Sequence, residues 1–173
     1  MDIRGTNAAL FFMVTLATLA MAAGCSSSET GGADTSSTGA TTITTEDSPC
    51  ATDPRGQHYA VGLSGASTDG SLKMSFVDAS PAPPAEGENY WTLKVTDGSG
   101  APLTGASFNV KPWMPDHLHG SSIVPEMTPM SEAGVYHVGI LEFFMPGIWQ
   151  TTFTLEQDSG PPEAVVFTFC ISG

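Results

Sequence analysis

The chain has 173 residues, 40% of them hydrophobic, and it carries 18 acidic against 5 basic side chains for a net charge of −13. A protein this acidic is repelled by phosphate backbones, so its charge argues against nucleic acid as a partner. The length allows one domain with a single hydrophobic core once terminal segments are set aside.

An apolar segment opens the chain and ends in a cysteine. Arg4 precedes the apolar run 9–23, which has the length of a signal peptide and is too short to span a bilayer. The run leads into Ala22-Ala23-Gly24-Cys25, which resembles a bacterial lipobox, where small residues precede a cysteine that is lipidated. We therefore expect residues 1–24 to be a lipoprotein signal peptide and Cys25 to carry the lipid. An ordinary secretory signal with an incidental Cys25 is the alternative.

A linker follows the lipobox. Residues 25–49 are nearly all Ser, Thr, Gly, Ala and acid, with Ile43 as the one large apolar residue. Such a segment cannot bury enough apolar surface to offset its ordering entropy, so we expect a flexible tether with a reach of roughly 25–30 Å. Ser26 follows the cysteine where Asp would favour retention at the inner membrane. By resemblance to lipoproteins of diderm bacteria, we expect an envelope protein anchored by lipid to the outer membrane, facing the periplasm or the cell surface.

Two further cysteines bracket the remaining domain, residues 50–173. Cys50 is its first residue and Cys170 lies three residues from its end. In an oxidising compartment this pair favours a disulfide, which would stabilise the fold by up to roughly 4–5 kcal/mol in the chain-entropy model. The competing interpretation is a pair of thiolate metal ligands, but no Cys-x-x-Cys spacing accompanies them.

The domain consists of short segments with β-strand patterns separated by turn residues. No segment keeps a helical period over ten residues, whereas several alternate apolar and polar residues. We predict seven strands, which favour an all-β, immunoglobulin-like β-sandwich and leave a barrel open. The predicted strands span residues 58–65, 71–79, 89–97, 106–113, 134–143, 148–157 and 163–171.

A set of motifs in residues 71–156 resembles the YtkA-like domain family. In chain order they are Pro83-Pro84, Asp97-Gly98, Met114-Pro115 with His117 and His119-Gly120, Gly134-Val135-Tyr136, and Phe144-Met145-Pro146-Gly147-Ile148-Trp149. The resemblance implies an exported β-sandwich of the kind found in bacterial lipoproteins and beside copper-handling proteins, and hence a copper-handling protein as a partner. The family's turn commonly has a second Met where this chain has His117, which keeps a possible ligand but makes it an imidazole.

The turn WMPDHLHG, residues 113–120, carries the candidate metal site. His117 and His119 are two residues apart, so an extended chain would turn both imidazoles to one side. Imidazoles suit Cu(II) and Zn(II), while thioethers select Cu(I). Met114 lies in the same turn, and Met127 and Met130 follow in PEMTPM. We therefore predict a copper site built from these five residues, with ordinary turn histidines as the alternative.

Enzymatic activity is not expected. The chain has no Gly-x-Ser-x-Gly, His-Glu-x-x-His or glycine-rich phosphate motif. Asp116 adjoins His117, but neighbouring side chains on an extended strand point apart. His137 is predicted to be an ordinary strand residue, and His58 a surface residue. A non-catalytic structural module, or one that contacts a protein or glycan without metal, remains the alternative to copper binding.

Overall fold

A computed structural model describes Cys50 and residues 52–173 of the chain. These residues form nine β-strands and contain no helix. Accordingly, no helix in the described part of the chain is long and apolar enough to cross a membrane. The predicted signal peptide (1–24), the lipidated Cys25 and the linker (25–49) lie outside the described residues.

The nine strands form two antiparallel sheets. A five-stranded sheet has the order β1-β2-β3-β7-β6, and a four-stranded sheet has the order β5-β4-β8-β9. The prediction of an all-β sandwich is thus confirmed, and the barrel that strand counting had left open is excluded. The strands are β1 Ser64–Ala66, β2 Leu72–Ser80, β3 Gly87–Asp97, β4 Phe108–Met114, β5 His119–Gly120, β6 Glu126–Pro129, β7 Val135–Phe143, β8 Gly147–Leu155 and β9 Ala164–Ile171.

The core lies between the two sheets and follows the alternation in the sequence. From Asn89 to Val95, every second residue of β3 faces inward and is fully buried, because successive side chains of a strand point to opposite faces. Trp91 joins the two layers: its ring lies 4.9 Å from that of Phe76 in its own sheet and 5.5 Å from that of Phe169 in the other. The buried residues that follow this alternation in the predicted strands include Leu72, Met74, Phe76, Trp91, Leu93, Val95, Trp149, Phe153, Val165, Phe167 and Phe169.

The first predicted strand is wrong for most of its length. Of residues 58–65, only the end joins β1, which spans Ser64–Ala66. The chain turns before it: Leu63 N–H donates to the carbonyl of Ala60 at 3.0 Å, and Gly62 has a φ of +86°. Glycine adopts such a left-handed conformation without steric cost, so the turn interrupts what looked like a continuous strand. The short strands β5 and β6 were not predicted.

The predicted disulfide is confirmed. Cys50 and Cys170 are bonded with their Cα atoms 5.2 Å apart and a sequence separation of 120 residues, so they are not a pair of thiolate ligands. Cys170 lies at the end of β9, next to Ile171, which pairs with Gly147 at the start of β8. The disulfide, the turn 115–118 and the loop 144–146 therefore lie at one end of the sandwich, called the histidine end below. The opposite end, with the turns 67–71 and 97–105, is called the far end.

Candidate metal centre

A short hairpin presents the two histidines. β4 and β5 pair through Met114 opposite His119 and Trp113 opposite Gly120, with residues 115–118 forming the turn. A Cβ on Gly120 would lie 2.6 Å from the carbonyl oxygen of Pro112, so only glycine allows the two strands to approach this closely. The hairpin therefore holds His119 directly beside the end of β4 and carries His117 at its tip.

The turn is closed by one backbone hydrogen bond and contains a left-handed residue. Leu118 N–H donates to the carbonyl of Met114 at 2.9 Å, and Leu118 has a φ of +58°. It is the one residue other than glycine with positive φ in the described part of the chain. A left-handed conformation costs a residue with a Cβ roughly 1–2 kcal/mol. The surrounding contacts must therefore hold this turn in place.

The two imidazoles lie at a separation that suits a shared ion. The ring centroids of His117 and His119 are 5.7 Å apart, and the planes meet at 87°. Two imidazoles that bind one ion at a metal–nitrogen distance of about 2 Å place their centroids roughly 5–6 Å apart. His117 is exposed and His119 is half-buried, so one imidazole lies in solvent and the other lies partly in the protein interior.

His119 has a buried nitrogen without a hydrogen-bond partner in the protein. Its ring stacks on Phe144 with centroids 5.3 Å apart and an interplanar angle of 23°, and it also approaches Trp149 at 6.3 Å. Within this enclosure the Nδ1 atom is buried and no side chain or backbone group of the described residues bonds to it. Such an orphaned polar atom costs about 1–3 kcal/mol, so it needs an explanation. A role of this nitrogen as a metal ligand is one explanation that fits.

Met114 lies beneath the hairpin rather than in the turn. It is the last residue of β4, it is fully buried, and it belongs to the core cluster. A Cβ on Gly147 would lie 2.8 Å from its Cε atom, and Gly147 has a φ of +130°. Met114 is the cross-strand partner of His119, and its thioether lies on the interior side of the hairpin.

The other two predicted thioethers lie in and just after β6, at the edge of the five-stranded sheet, whereas the histidines lie in β5 and its turn in the four-stranded sheet. Met127 lies in β6 opposite Val138, half-buried against the core of the five-stranded sheet. Met130 follows β6, and its N–H donates to the carbonyl of Val135, the residue at which β7 begins at the far end. Met130 therefore lies at the far end, away from the turn of the histidines, because the chain crosses from β5 to β6 in the other sheet.

A model of the YtkA-like family matches residues 68–154, which is 87 of the 173 residues. The chain belongs to the YtkA-like family. No curated protein and no solved structure matches the chain. The matched region of this YtkA-like protein includes both turn histidines and Met114, whereas Cys50 and Arg55 precede it and Cys170 follows it.

An ion-pair network adjoins the turn of the YtkA-like domain. Arg55 donates from Nη1 and Nη2 to the two carboxylate oxygens of Asp116, both at 2.7 Å. It also donates from Nη2 to Asp53 Oδ2 at 2.7 Å and from Nε to Asp53 Oδ1 at 3.0 Å. The hydrogen bonds from Arg55 lower the pKa of both carboxyl groups, and those carboxylates, Asp116 first, raise the pKa of Arg55.

Sequence reasoning missed this network. Arg55 and Asp116 are 61 residues apart, and no local pattern links them. One signal was available in the sequence. Arg55 is the only arginine after the predicted signal peptide, so an ion pair with one of the many acidic residues could have been predicted for it. The network makes Arg55 the hydrogen-bond partner of both carboxylate oxygens of Asp116.

The remaining histidines lie elsewhere in the YtkA-like domain. His137 is an exposed residue of β7 whose ring stacks on Tyr90 at 6.0 Å. His58 is exposed and lines an open cleft of about 460 Å³ together with Tyr59 and the disulfide. No group of three or more His, Cys, Asp or Glu side chains in residues 50 and 52–173 could hold a metal ion. A site here would depend on two imidazoles with a thioether.

Proposed function

We propose that this YtkA-like domain binds a copper ion through His117 and His119 and passes it to a copper-handling partner. The observation that supports it is the enclosed His119, whose Nδ1 is buried without a partner among the described residues while its ring lies 5.7 Å from that of His117. In this proposal copper is cargo, and the protein is a carrier without enzymatic activity.

The choice of copper rests on the mixture of donors. Imidazole nitrogens suit Cu(II), whereas thioether sulfur suits Cu(I), and the cross-strand pair of His119 with Met114 offers one of each. Harder ions such as Mg²⁺ and Ca²⁺ prefer oxygen ligands, and the nearest carboxylate, Asp116, is already held by Arg55. His117 and His119 are the primary ligands in this proposal, with Met114 as an inner one.

The proposed cellular setting is a lipid-anchored envelope protein. Its support is the sequence around Cys25 and the low-hydrophobicity linker that follows. If Cys25 carries the lipid, Cys25→Ala should leave unprocessed precursor, and mass spectrometry should find acyl chains on the wild-type mature N-terminus. A mature wild-type protein that begins at another residue and carries no acyl group would refute the anchor.

A second candidate function is a metal-free interaction module, and one observation favours it. Leu118 is 75% exposed and Phe144 45% exposed, so two large apolar side chains flank the histidines at the same end. Exposed apolar side chains that cluster often mark contacts with other proteins. A carrier would need such a contact as well, so metal binding itself must distinguish the two functions.

Copper titration of paired variants tests the proposal. The exported protein, with its disulfide formed, is titrated separately with Cu(I) and Cu(II). His117→Ala/His119→Ala should abolish binding at micromolar protein, while the matched control His58→Ala/His137→Ala removes two exposed histidines and should bind like wild type. If wild type binds neither ion better than the double variant of the turn, the interaction module becomes the better conclusion.

A further inference from the structure

The segment before β1 is tied to the edge of the four-stranded sheet. Cys50 is bonded to Cys170, and Gln57 exchanges two hydrogen bonds with Thr168: its N–H donates to the Thr168 carbonyl at 2.7 Å and its Oε1 accepts from Thr168 N–H at 2.8 Å. Gly56 fits between these ties, since a Cβ there would lie 3.1 Å from the Cβ of Cys170. The positions of Cys50 and residues 52–57 are therefore set by β9.

From this anchored segment Arg55 reaches the opposite edge of the sheet. β9 and the β4–β5 hairpin lie on opposite sides of β8, and neighbouring strands are about 4.8 Å apart. At the histidine end the segment and the side chain of Arg55 together bridge this width, and the guanidinium meets both oxygens of Asp116 at 2.7 Å. Asp53, which lies in the same segment as Arg55, also accepts hydrogen bonds from this guanidinium and thereby fixes its orientation.

Asp116 belongs to the four-residue turn that carries His117. The turn has one closing hydrogen bond of its own, from Leu118 N–H to the carbonyl of Met114, and it includes the unfavourable conformation of Leu118. A bidentate arginine fixes both the position and the orientation of a carboxylate. Tying Asp116 therefore restrains the backbone on either side of it, including that of His117.

We propose that Arg55 is a positioning residue of the copper site, holding the turn so that His117 stays at binding distance from His119. The inference rests on the proposed function. Arg55 would thus belong to the site although it precedes residue 68, where the region matched by the family model begins. Arg55 touches no proposed ligand atom; it acts through Asp116.

Three single substitutions test this role. Arg55→Gln removes the fork, Arg55→Lys keeps the charge without bidentate geometry, and Lys73→Gln is a control with the same charge change at the far end, where Lys73 donates to the carbonyl of Gly98. Because residues that orient metal ligands typically change affinity by 10–100-fold, Arg55→Gln should weaken copper binding about tenfold. Arg55→Lys should restore part of the loss, and Lys73→Gln should bind like wild type.

Two further readouts separate positioning from a general loss of structure. The Cu(II) electron paramagnetic resonance spectrum of Arg55→Gln should change, since the imidazole geometry changes, while its unfolding midpoint stays that of wild type because exposed ion pairs contribute little to stability. Without copper, the Leu118 amide of Arg55→Gln should exchange its hydrogen faster than in Lys73→Gln.

Each outcome bears on one of the two claims. If wild type binds copper and the paired histidine variant does not, but Arg55→Gln keeps the wild-type affinity and spectrum, Arg55 has no positioning role and the proposed function stands. Equal weakening by Arg55→Gln and Lys73→Gln would show an effect of net charge and would also refute the positioning role. Absence of copper binding in wild type would overturn the proposed function itself.

Discussion

The two ends of the sandwich differ in how fully their polar groups are satisfied. At the far end, Asp97 accepts hydrogen bonds from the N–H and hydroxyl of Ser99 and from the N–H of Ala101. In the same region the Tyr136 hydroxyl donates to the carbonyl of Leu103 at 2.9 Å and accepts from the N–H of Ala106 at 3.1 Å. These turns are built as stable connections.

The histidine end keeps features that reduce stability. His119 has an unpartnered buried nitrogen, Leu118 is left-handed, and the exposed ring of Phe144 covers His119. Proteins retain unsatisfied or strained groups mostly where function requires them, because each such group costs free energy of folding. The difference between the ends therefore supports the proposal that the histidine end has a role beyond the stability of the fold.

Among the changes that test this comparison, removal of the disulfide at the histidine end should have the largest effect on the free energy of unfolding. Cys50→Ser/Cys170→Ser releases a link across 120 residues and should lower the free energy of unfolding by about 2–5 kcal/mol. Denaturant unfolding of the oxidised wild type and the double variant measures it. Equal midpoints would mean that the hydrogen bonds between Gln57 and Thr168 suffice to hold this end.

A smaller effect of opposite sign on the free energy of unfolding is expected when His119 is replaced by a side chain that needs no hydrogen-bond partner. His119→Phe keeps a ring to stack on Phe144 and removes the orphaned nitrogen, so the metal-free variant should be more stable by roughly 1 kcal/mol. The matched control His137→Phe changes an exposed histidine, also stacked on an aromatic ring, and should give no such gain. A destabilised His119→Phe would show that the nitrogen is satisfied in solution.

The smallest effect concerns a carboxylate at the far end. Hydroxyl hydrogen bonds from Ser71 and Ser67 lower the pKa of Asp69 from 3.8 to about 2. A lowered pKa stabilises the fold above pH 4, and this contribution is lost as the pH falls through about 2. Ser71→Ala should raise the pKa of Asp69 toward its ordinary value, as followed by NMR titration, and Ser99→Ala should leave it unchanged. An unaltered pKa in Ser71→Ala would contradict this account.

The sequence predicts the layers of the fold well because strand burial has a period of two. Trp91, Leu93 and Val95 alternate in the sequence, and all three are fully buried. The errors come from short elements: β5 has two residues, and β6 is a four-residue edge strand that ends in a proline. Such segments are held by their neighbours rather than by their own pattern, so no periodicity can reveal them.

The candidate site was predictable only where its parts are local in sequence. His117 and His119 lie in one turn, and the structure keeps them together. Met130 was grouped with them by sequence distance, but the strand pairing carries it toward the far end. Arg55 was missed for the opposite reason, since it reaches the turn across the sheet from 61 residues away.

The disulfide also fixes the place where the described domain begins: Cys50 lies at the histidine end, beside the last residues of β9. Under the proposed anchor at Cys25, the tether would join the domain at the end that carries the hairpin with His117. A partner that accepts the proposed ion would then dock at the end of the domain to which the tether is attached.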